Sequence, residues 1–330
     1  MLQKFLEIKS HLEQQPEDFD SLALEIFQFQ ARENPVYKSF LEAINIHPKK
    51  ITRWEEIPHL PISLFKQHKV SCFPNNTATK IFESSKTTGQ TSSKHYLYTE
   101  SIYQNSLSAC FNRFFGDPAG WEIFALLPGY IERNNASLLY MVNHLMQQNE
   151  KSRGGFFLNE YEALETRLKQ ALESGKKVIL IGVTHALLSF LEQRGQKKWP
   201  NLNLLETGGM KGKRRELIRE ELHQLLSEGF GTKQIFSEYG MTELLSQAYY
   251  GAENSFQCPP WMQIQIRELR DPFASVKSGK SGFLYVSDLA NLESCCFIAT
   301  EDLGRQYENK SFEVLGRVDH AELRGCNLMI

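Results

Sequence analysis

The chain has 330 residues, 41% hydrophobic and 23% charged, with a formal net charge of -2 at pH 7. That composition excludes an intrinsically disordered protein and fits one large core or two domains. So even a charge balance gives no overall reason to expect nucleic acid or an anionic membrane, and any anion site has to be local. No apolar run approaches bilayer length, and the opening MLQKFLEIKSHLEQQ mixes charge with apolar residues, unlike a signal peptide. A cytoplasmic protein without a membrane span is expected.

In chain order, Leu2, Phe5, Leu6 and Leu12 recur at helical spacing, and Asn34 before Pro35 reads as an N-cap with proline at the first helical position. A proline-punctuated connector, WEEIPHLPISLF, follows. From there short apolar runs with strand character (EIFALLP, GGFFL, KVILIG, LNLLET, KQIFSEYG) alternate with helix-like segments such as NASLLYMVNHLMQQ, EYEALETRLKQALES and KRRELIREELHQLL. That alternation predicts a largely parallel sheet flanked by helices. After about Trp261 the pattern becomes short strands (MQIQIREL, GFLYVSDL, SCCFIAT, FEVLGR) between turn residues, a β-rich lobe. No repeat or flexible linker interrupts the chain. The expected organisation is one catalytic-type domain over 1–330, with a helical part at 1–80, an α/β core at 81–260 and the β-rich lobe at 261–330.

The six cysteines show no CxxC spacing, so neither a zinc site nor a redox pair is indicated. Cys295 and Cys296 fall in an expected strand, which would send their side chains to opposite faces as core residues. Cys110, in the helix-like SIYQNSLSACFNRFF, also reads as core. His144, on an otherwise apolar helix, reads as a satisfied core histidine, whereas His95 follows a polar loop and is a candidate for touching phosphate or acyl groups.

Five stretches can carry chemistry. FESSKTTGQTSSKHY offers Ser and Thr hydroxyls around Gly89, groups that cradle phosphate oxygens. It lacks the GxxxxGK[ST] spacing, and in isolation it reads as a polar surface loop. In LLETGGMKGKRREL an expected strand ends in Gly208 and Gly209, where small residues let a base approach the backbone or simply make a tight turn. FSEYGMTE supplies an aromatic plane at Tyr239, a hydroxyl at Thr242 and a carboxylate at Glu243, suited to a base, a phosphate and a magnesium ion. Last, Asp302 in FIATEDLGR, expected in a turn after a strand, can accept from two ribose hydroxyls, and Arg317 in FEVLGRVDHAELRGCNLMI can stabilise phosphate or a sugar oxygen. The plain alternative for both is solvated surface.

Taken in order, SSKTTGQ, ETGGMKG, SEYGMTE, IATEDLG and LGRVDHAELRGC resemble the adenylate-forming superfamily of acyl-CoA synthetases and ligases, and most closely its LuxE-type acyl-protein synthetases. The resemblance runs from about Ile81 to the last residue, with EYGMTE its most specific part. It implies the α/β large domain of those enzymes, with ATP and Mg2+ as cofactors. It also implies a carboxylic acid, expected to be an acyl chain, as substrate, and an acyl-acceptor or reductase protein as partner. Carried over, Ser84, Ser85, Lys86, Thr87, Thr88 and Gly89 form the loop over the ATP phosphates, Lys86 standing where a glycine is more usual. Gly208, Gly209, Tyr239 and Gly240 surround adenine, Thr242 lies near the α-phosphate, Glu243 holds magnesium, Asp302 binds ribose and Arg317 belongs to the hinge motif that His320 marks. The LuxE-type branch is understood to accept the acyl group on its own cysteine near the C-terminus, which here points to Cys326, with a buried, inert thiol as the alternative. Larger relatives continue into a mobile domain bearing a catalytic lysine, and this chain ends at Ile330, so that domain is expected to be absent. The competing expectations are a CoA ligase completed by a partner domain and a non-catalytic nucleotide- or acyl-binding subunit.

Overall fold

The computed structural model describes residues 18–85, 91–129, 135–208, 217–251 and 254–317. They form two compact units, one from the described residues among 1–79, 93–98 and 255–330, the other from those among 80–92 and 99–254.

The first unit opens with helices α1 (Phe19–Glu33) and α2 (Pro35–Ala43), then strand β1 (Leu60–Pro61) and the short helix α3 (Leu64–Gln67). Asp18 starts α1 by accepting hydrogen bonds from the amides of Asp20 and Ser21. Asn34 caps α2 as the sequence predicts, its side-chain oxygen accepting from the amides of Val36 and Tyr37 while Pro35 takes the first turn. The same side chain donates from Nδ2 to the Ser294 carbonyl at 2.9 Å, so one residue both starts a helix and fastens it to a distant segment. Gln30 acts similarly. Fully buried, it donates to the carbonyls of Asn291 and Leu292 at 3.0 and 3.1 Å and accepts from the Cys296 amide at 2.9 Å.

Strand β2 (Lys80–Glu83) belongs to the second unit and β3 (Lys94–Leu97) to the first. The second unit continues with α4 (Glu100–Phe115), β4 (Trp121–Leu126), α5 (Ser137–Gln147), β5 (Gly155–Phe157), α6 (Tyr161–Glu173) and β6 (Lys177–Val183). It is completed by α7 (Thr184–Arg194), β7 (Leu202–Thr207), α8 (Arg219–Phe230), β8 (Gln234–Tyr239) and β9 (Ala248–Tyr250). The strands lie in the order β5-β4-β6-β7-β8-β9, all parallel except β9, which runs antiparallel to β8. A sheet covered on both faces makes its central strands read as continuous apolar runs. In β6, Val178, Ile179, Leu180, Ile181 and Val183 are all fully buried, each contributing roughly 1.5–3 kcal/mol relative to exposure. On one face Phe115 of α4 packs against Phe236 and Tyr249, with ring centroids 5.1 Å apart in both pairs. On the other, His223 and Arg219 of α8 pack against Tyr250. Gly182 is required at the end of β6: a Cβ there would lie 2.5 Å from Leu187 of α7, so only glycine lets the helix start so close to the sheet.

The first unit closes with β10 (Phe256–Gln257), β11 (Met262–Arg267), β12 (Ser281–Asp288), β13 (Phe297–Gln306) and β14 (Phe312–Arg317). These run β11-β12-β13-β14-β10, all neighbours antiparallel, with β1 parallel to β13 through Leu60↔Ile298 and Pro61↔Ala299.

The expected parallel sheet and β-rich lobe are both present. Three local expectations change. WEEIPHLPISLF contributes a strand, because proline ends β1 without needing to donate, and the next amide, Ile62, bonds the Ala299 carbonyl at 3.0 Å. Cys295 and Cys296 precede β13 instead of lying in it. Their fully buried thiols donate to the backbone carbonyls of Phe297 and Leu289, and burial pushes both thiols up in pKa. Asp302 sits within β13, not in a turn after a strand. The N-terminal periodicity of Leu2, Phe5, Leu6 and Leu12 lies outside the described residues.

One buried histidine of the first unit gives a pH prediction. His59 Nδ1 lies 3.0 Å from the Ile57 carbonyl, which can only accept, so Nδ1 carries the proton and Nε2 accepts from the Ser287 hydroxyl at 3.0 Å. Burial, aided by the Arg267 charge, lowers its pKa to about 3. The unfolded chain binds this proton near the ordinary histidine value and the folded chain does not, so the contribution is complete above that value and is lost as pH falls towards 3. By pH 5 the loss should reach about 2 kcal/mol. Urea unfolding of His59→Gln across pH 7 to 5 is expected to give a flatter profile than the parent; parallel profiles would remove His59 as the cause.

Candidate active site

In the second unit, parallel neighbours β7 and β8 end side by side, with Thr207 opposite Glu238. Two turns leave from those carboxyl ends. Gly208 turns the chain out of β7 with a positive φ of 70°, the left-handed region that suits glycine. Beyond β8, Gly240, Met241, Thr242 and Glu243 form the connection towards β9, tightened by the Leu244 amide bonding the Met241 carbonyl at 3.1 Å. Tyr239, the last residue of β8, is buried, as is the Glu243 carboxylate, and Thr242 is half-buried. The structure therefore brings Gly208, Tyr239, Gly240, Thr242 and Glu243 to one edge of one sheet. In an open parallel sheet, ligands bind beyond the carboxyl ends of the strands.

The rest of the predicted set is distributed as follows. Ser84 and Ser85 follow β2 in the same unit, where the Glu83 amide bonds the Asn135 carbonyl at 2.9 Å. Lys86, Thr87, Thr88, Gly89, Gly209, His320 and Cys326 lie outside the described residues. In the first unit Asp302 and Arg317 face each other across β13 and β14 as register partners. Arg317 Nε donates to Asp302 Oδ1 at 3.0 Å; the carboxylate side chain is 11% exposed and the arginine 58%. One face of that pair is thus a fixed, buried acceptor and the other a cation open to solvent.

His144, half-buried rather than in the core, bonds Ser108 across α4 and α5 with its Nε2 2.9 Å from the Ser108 hydroxyl, and partial burial lowers its pKa. His95 is buried in the first unit with Nε2 3.0 Å from the Ser294 hydroxyl. Cys110 is fully buried.

Sequence reading missed the polar residues beneath the two turns. On the α4 face Thr207 donates to Glu238, and the Glu238 carboxyl occupies the space that a Cβ on Gly240 would need, so a side chain at 240 would collide with it. Burial, with a contribution from the Glu206 charge, raises the Glu238 pKa to about 7 against the pull of the Thr207 hydrogen bond. On the α8 face Glu206 is 2.9 Å from the Thr184 hydroxyl and 3.5 Å from Arg219 Nη1, and burial raises its pKa despite its hydrogen-bond contacts with Ser237 and Thr184 and the Arg219 charge. The available signal was an acid inside an apolar strand run, LLETGG and IFSEYG, where a charged side chain has no reason to sit without buried partners.

The donor set also bears on metal. Among the described residues no group of three His, Cys, Asp or Glu side chains forms a cage. A single buried carboxylate, Glu243, beside a hydroxyl suits a magnesium ion that takes its remaining ligands from water and nucleotide phosphates.

A doubly covered parallel sheet with a glycine turn and a YGxTE segment at adjoining strand ends, accompanied by a β-rich lobe, is the fold of the adenylate-forming enzymes. Of solved structures, 2-hydroxyisobutyryl-CoA ligase in complex with 2-HIB-AMP and CoA aligns with a TM-score of 0.67 at 12% identity, over 90% of this chain and 73% of that one. ATP-bound MatB from Rhodopseudomonas palustris aligns at 0.53 and 15% identity, over 72% and 47%. The chain itself belongs to the LuxE acyl-protein synthetase family, whose model matches residues 7–330. A relative from Vibrio harveyi, a long-chain-fatty-acid–luciferin-component ligase, is 24% identical over 96% of this chain and 88% of its own length.

Proposed function

We propose that this acyl-protein synthetase activates a carboxylic acid with ATP and transfers the acyl group to a protein thiol. The observation that carries the reading is the meeting, at adjoining carboxyl ends of β7 and β8, of the Gly208 turn and the Tyr239–Glu243 segment within a chain of this family. Gly208 and Gly209 allow adenine to lie against backbone, Tyr239 and Gly240 form its other wall, and Asp302 accepts from the ribose hydroxyls. Thr242 donates to the α-phosphate, and Ser84, Ser85, Thr87, Thr88 and Gly89 surround the remaining phosphates, with Lys86 adding positive charge.

The substrate carboxylate oxygen attacks the α-phosphorus in line; the bond to the β-phosphate oxygen breaks, and pyrophosphate leaves with that electron pair. No side-chain base is needed, because the nucleophile is already ionised, so positioning and charge stabilisation carry the step. Bound to Glu243, magnesium would offset charge on the transferring phosphates. Arg317, exposed beside Asp302, is the proposed partner of a sugar or phosphate oxygen. In the second half-reaction a thiolate adds to the acyl carbonyl and AMP departs, leaving a thioester. Cys326 is the proposed acceptor in this chain, and onward transfer to a reductase-type protein partner fits the same chemistry. An acyl chain is the favoured acid, in line with the Vibrio harveyi relative. Among the described residues no helix is long and apolar enough to cross a membrane.

AMP release measured together with intact-protein mass tests the whole scheme. With ATP, Mg2+ and a long-chain acid, AMP should form and the protein should gain one acyl mass that hydroxylamine removes and Cys326→Ser prevents. Labelling that survives Cys326→Ser would reassign the acceptor, and AMP formation that requires CoA with no protein acylation would favour a CoA ligase.

A further inference from the structure

The hydroxyl of Thr184, the first residue of α7, is 2.6 Å from the Gly208 carbonyl oxygen and 2.9 Å from Glu206 Oε2. A hydroxyl carries one proton, whereas a carbonyl and a carboxylate both only accept. For both contacts to be hydrogen bonds the second proton has to come from Glu206 in its acid form. We propose that Thr184 is a positioning residue for the nucleotide, held in a relay in which protonated Glu206 donates to Thr184 and Thr184 donates to the carbonyl of Gly208, fixing the turn at the end of β7. The proposal rests on the nucleotide role assigned above to Gly208 and adds residues that touch no substrate.

The surroundings suit a neutral acid. Glu206 and Thr184 are 5% and 2% exposed, so water does not compete for the contacts. Among the described residues, the groups facing Glu206 are Thr184 from α7, Arg219 from α8 and Ser237 from β8; Ser237 is itself 2.8 Å from His223 Nε2 of α8. Arg219 favours the ionised form, but at 3.5 Å it approaches the other carboxyl oxygen, Oε1, and leaves Oε2 to Thr184. Across the sheet Glu238 feels the Glu206 charge, and two like charges so placed disfavour ionisation of both carboxyls together. His223, lowered to about 4 by burial and the Arg219 charge, is neutral near pH 7 and adds no cation. When Glu206 ionises, the carboxylate accepts the Thr184 hydrogen bond and the Gly208 carbonyl loses its donor. ATP affinity should therefore fall as pH rises.

Calorimetric titration with ATP of the full chain and its variants tests the relay. Thr184→Val should bind ATP about five- to tenfold more weakly, the effect of one lost hydrogen bond that fixes a ligand-contacting turn. Thr184→Ser should stay within about twofold, since it keeps the hydroxyl. Glu206→Gln, whose amide can donate to Thr184 at any pH, should bind as the parent does at low pH and lose part of the parent's weakening at high pH. Parent-like binding by Thr184→Val, or weakening by Glu206→Gln with the pH dependence intact, would overturn the relay while leaving the nucleotide reading in place. If Thr184→Val does not fold, as thermal unfolding would reveal, the Thr184→Ser and Glu206→Gln outcomes decide. A parent protein that binds no ATP would remove the nucleotide reading itself, and the relay with it.

Discussion

Asp302→Asn is expected to weaken ATP binding by about 10- to 100-fold while leaving the protein folded. The carboxylate is fixed from three directions: its strand pairs on both sides, its amide donates to the Thr300 hydroxyl at 3.1 Å, and Arg317 holds one oxygen at 3.0 Å. An amide keeps the volume but replaces a charged acceptor by a neutral one, and hydrogen bonds to charged groups contribute about 1.5–3 kcal/mol. Stability should change little, because Arg317 remains open to solvent and is not stranded when the charge is removed. Equilibrium binding to ATP and to 2′,3′-dideoxy-ATP separates ribose recognition from a general loss: the analogue should bind parent and variant alike. A variant that loses affinity for both nucleotides equally would move Asp302 from ribose recognition to a structural role.

The second large effect is expected at Glu243. Its buried carboxylate lies four residues beyond the end of β8, on the connection that carries Thr242. Glu243→Gln should lower the rate of adenylate formation by about 100- to 1,000-fold, the size seen when a group aimed at developing charge is removed from a water-poor site. ATP affinity without metal should move far less. Pre-steady-state measurement of acyl-adenylate at increasing Mg2+ checks this, since a weakened metal site is partly rescued by more metal. An unchanged rate, or a loss that magnesium does not touch, would contradict the assignment.

The parts of the fold that could be read from sequence are those where one physical requirement dominates. Strands β4, β6 and β7 announce themselves because a sheet covered on both faces tolerates little but apolar side chains, and α2 does so because Asn34–Pro35 meets both needs of a helix start. Strand β1 was hidden: two residues give no periodicity, and its pairing partner Ile298 lies far along the chain. Asp302 was read into a turn because TEDLGR is polar and contains glycine. The strand persists there because Gly304 faces β14 where a Cβ would meet the Glu313 carbonyl, and the register shifts between Leu303 and Gly304.

For the candidate site, the residues proposed to face a ligand were legible and those beneath them were not. Gly208, Tyr239, Thr242 and Glu243 stand out because glycine turns and a YGxTE run are rare combinations with a direct chemical use. Thr184, Glu206 and Glu238 belong to three separate strand ends or helix starts, and only the β7–β8 register and the start of α7 bring Thr184 to Glu206 on one face and Thr207 to Glu238 on the other. A carboxyl with a pKa of about 7 in one pair and a raised one in the other is a product of burial, which no local pattern displays.

Acid-dependent exchange of labelled pyrophosphate into ATP tests acyl-adenylate formation most directly, because it reports the first half-reaction without needing an acceptor. Exchange should appear with a long-chain carboxylic acid and Mg2+, stay at background without the acid, and fall with Glu243→Gln. A folded protein that binds ATP yet shows no exchange across short, long, hydroxylated and aromatic acids would contradict the proposed activity.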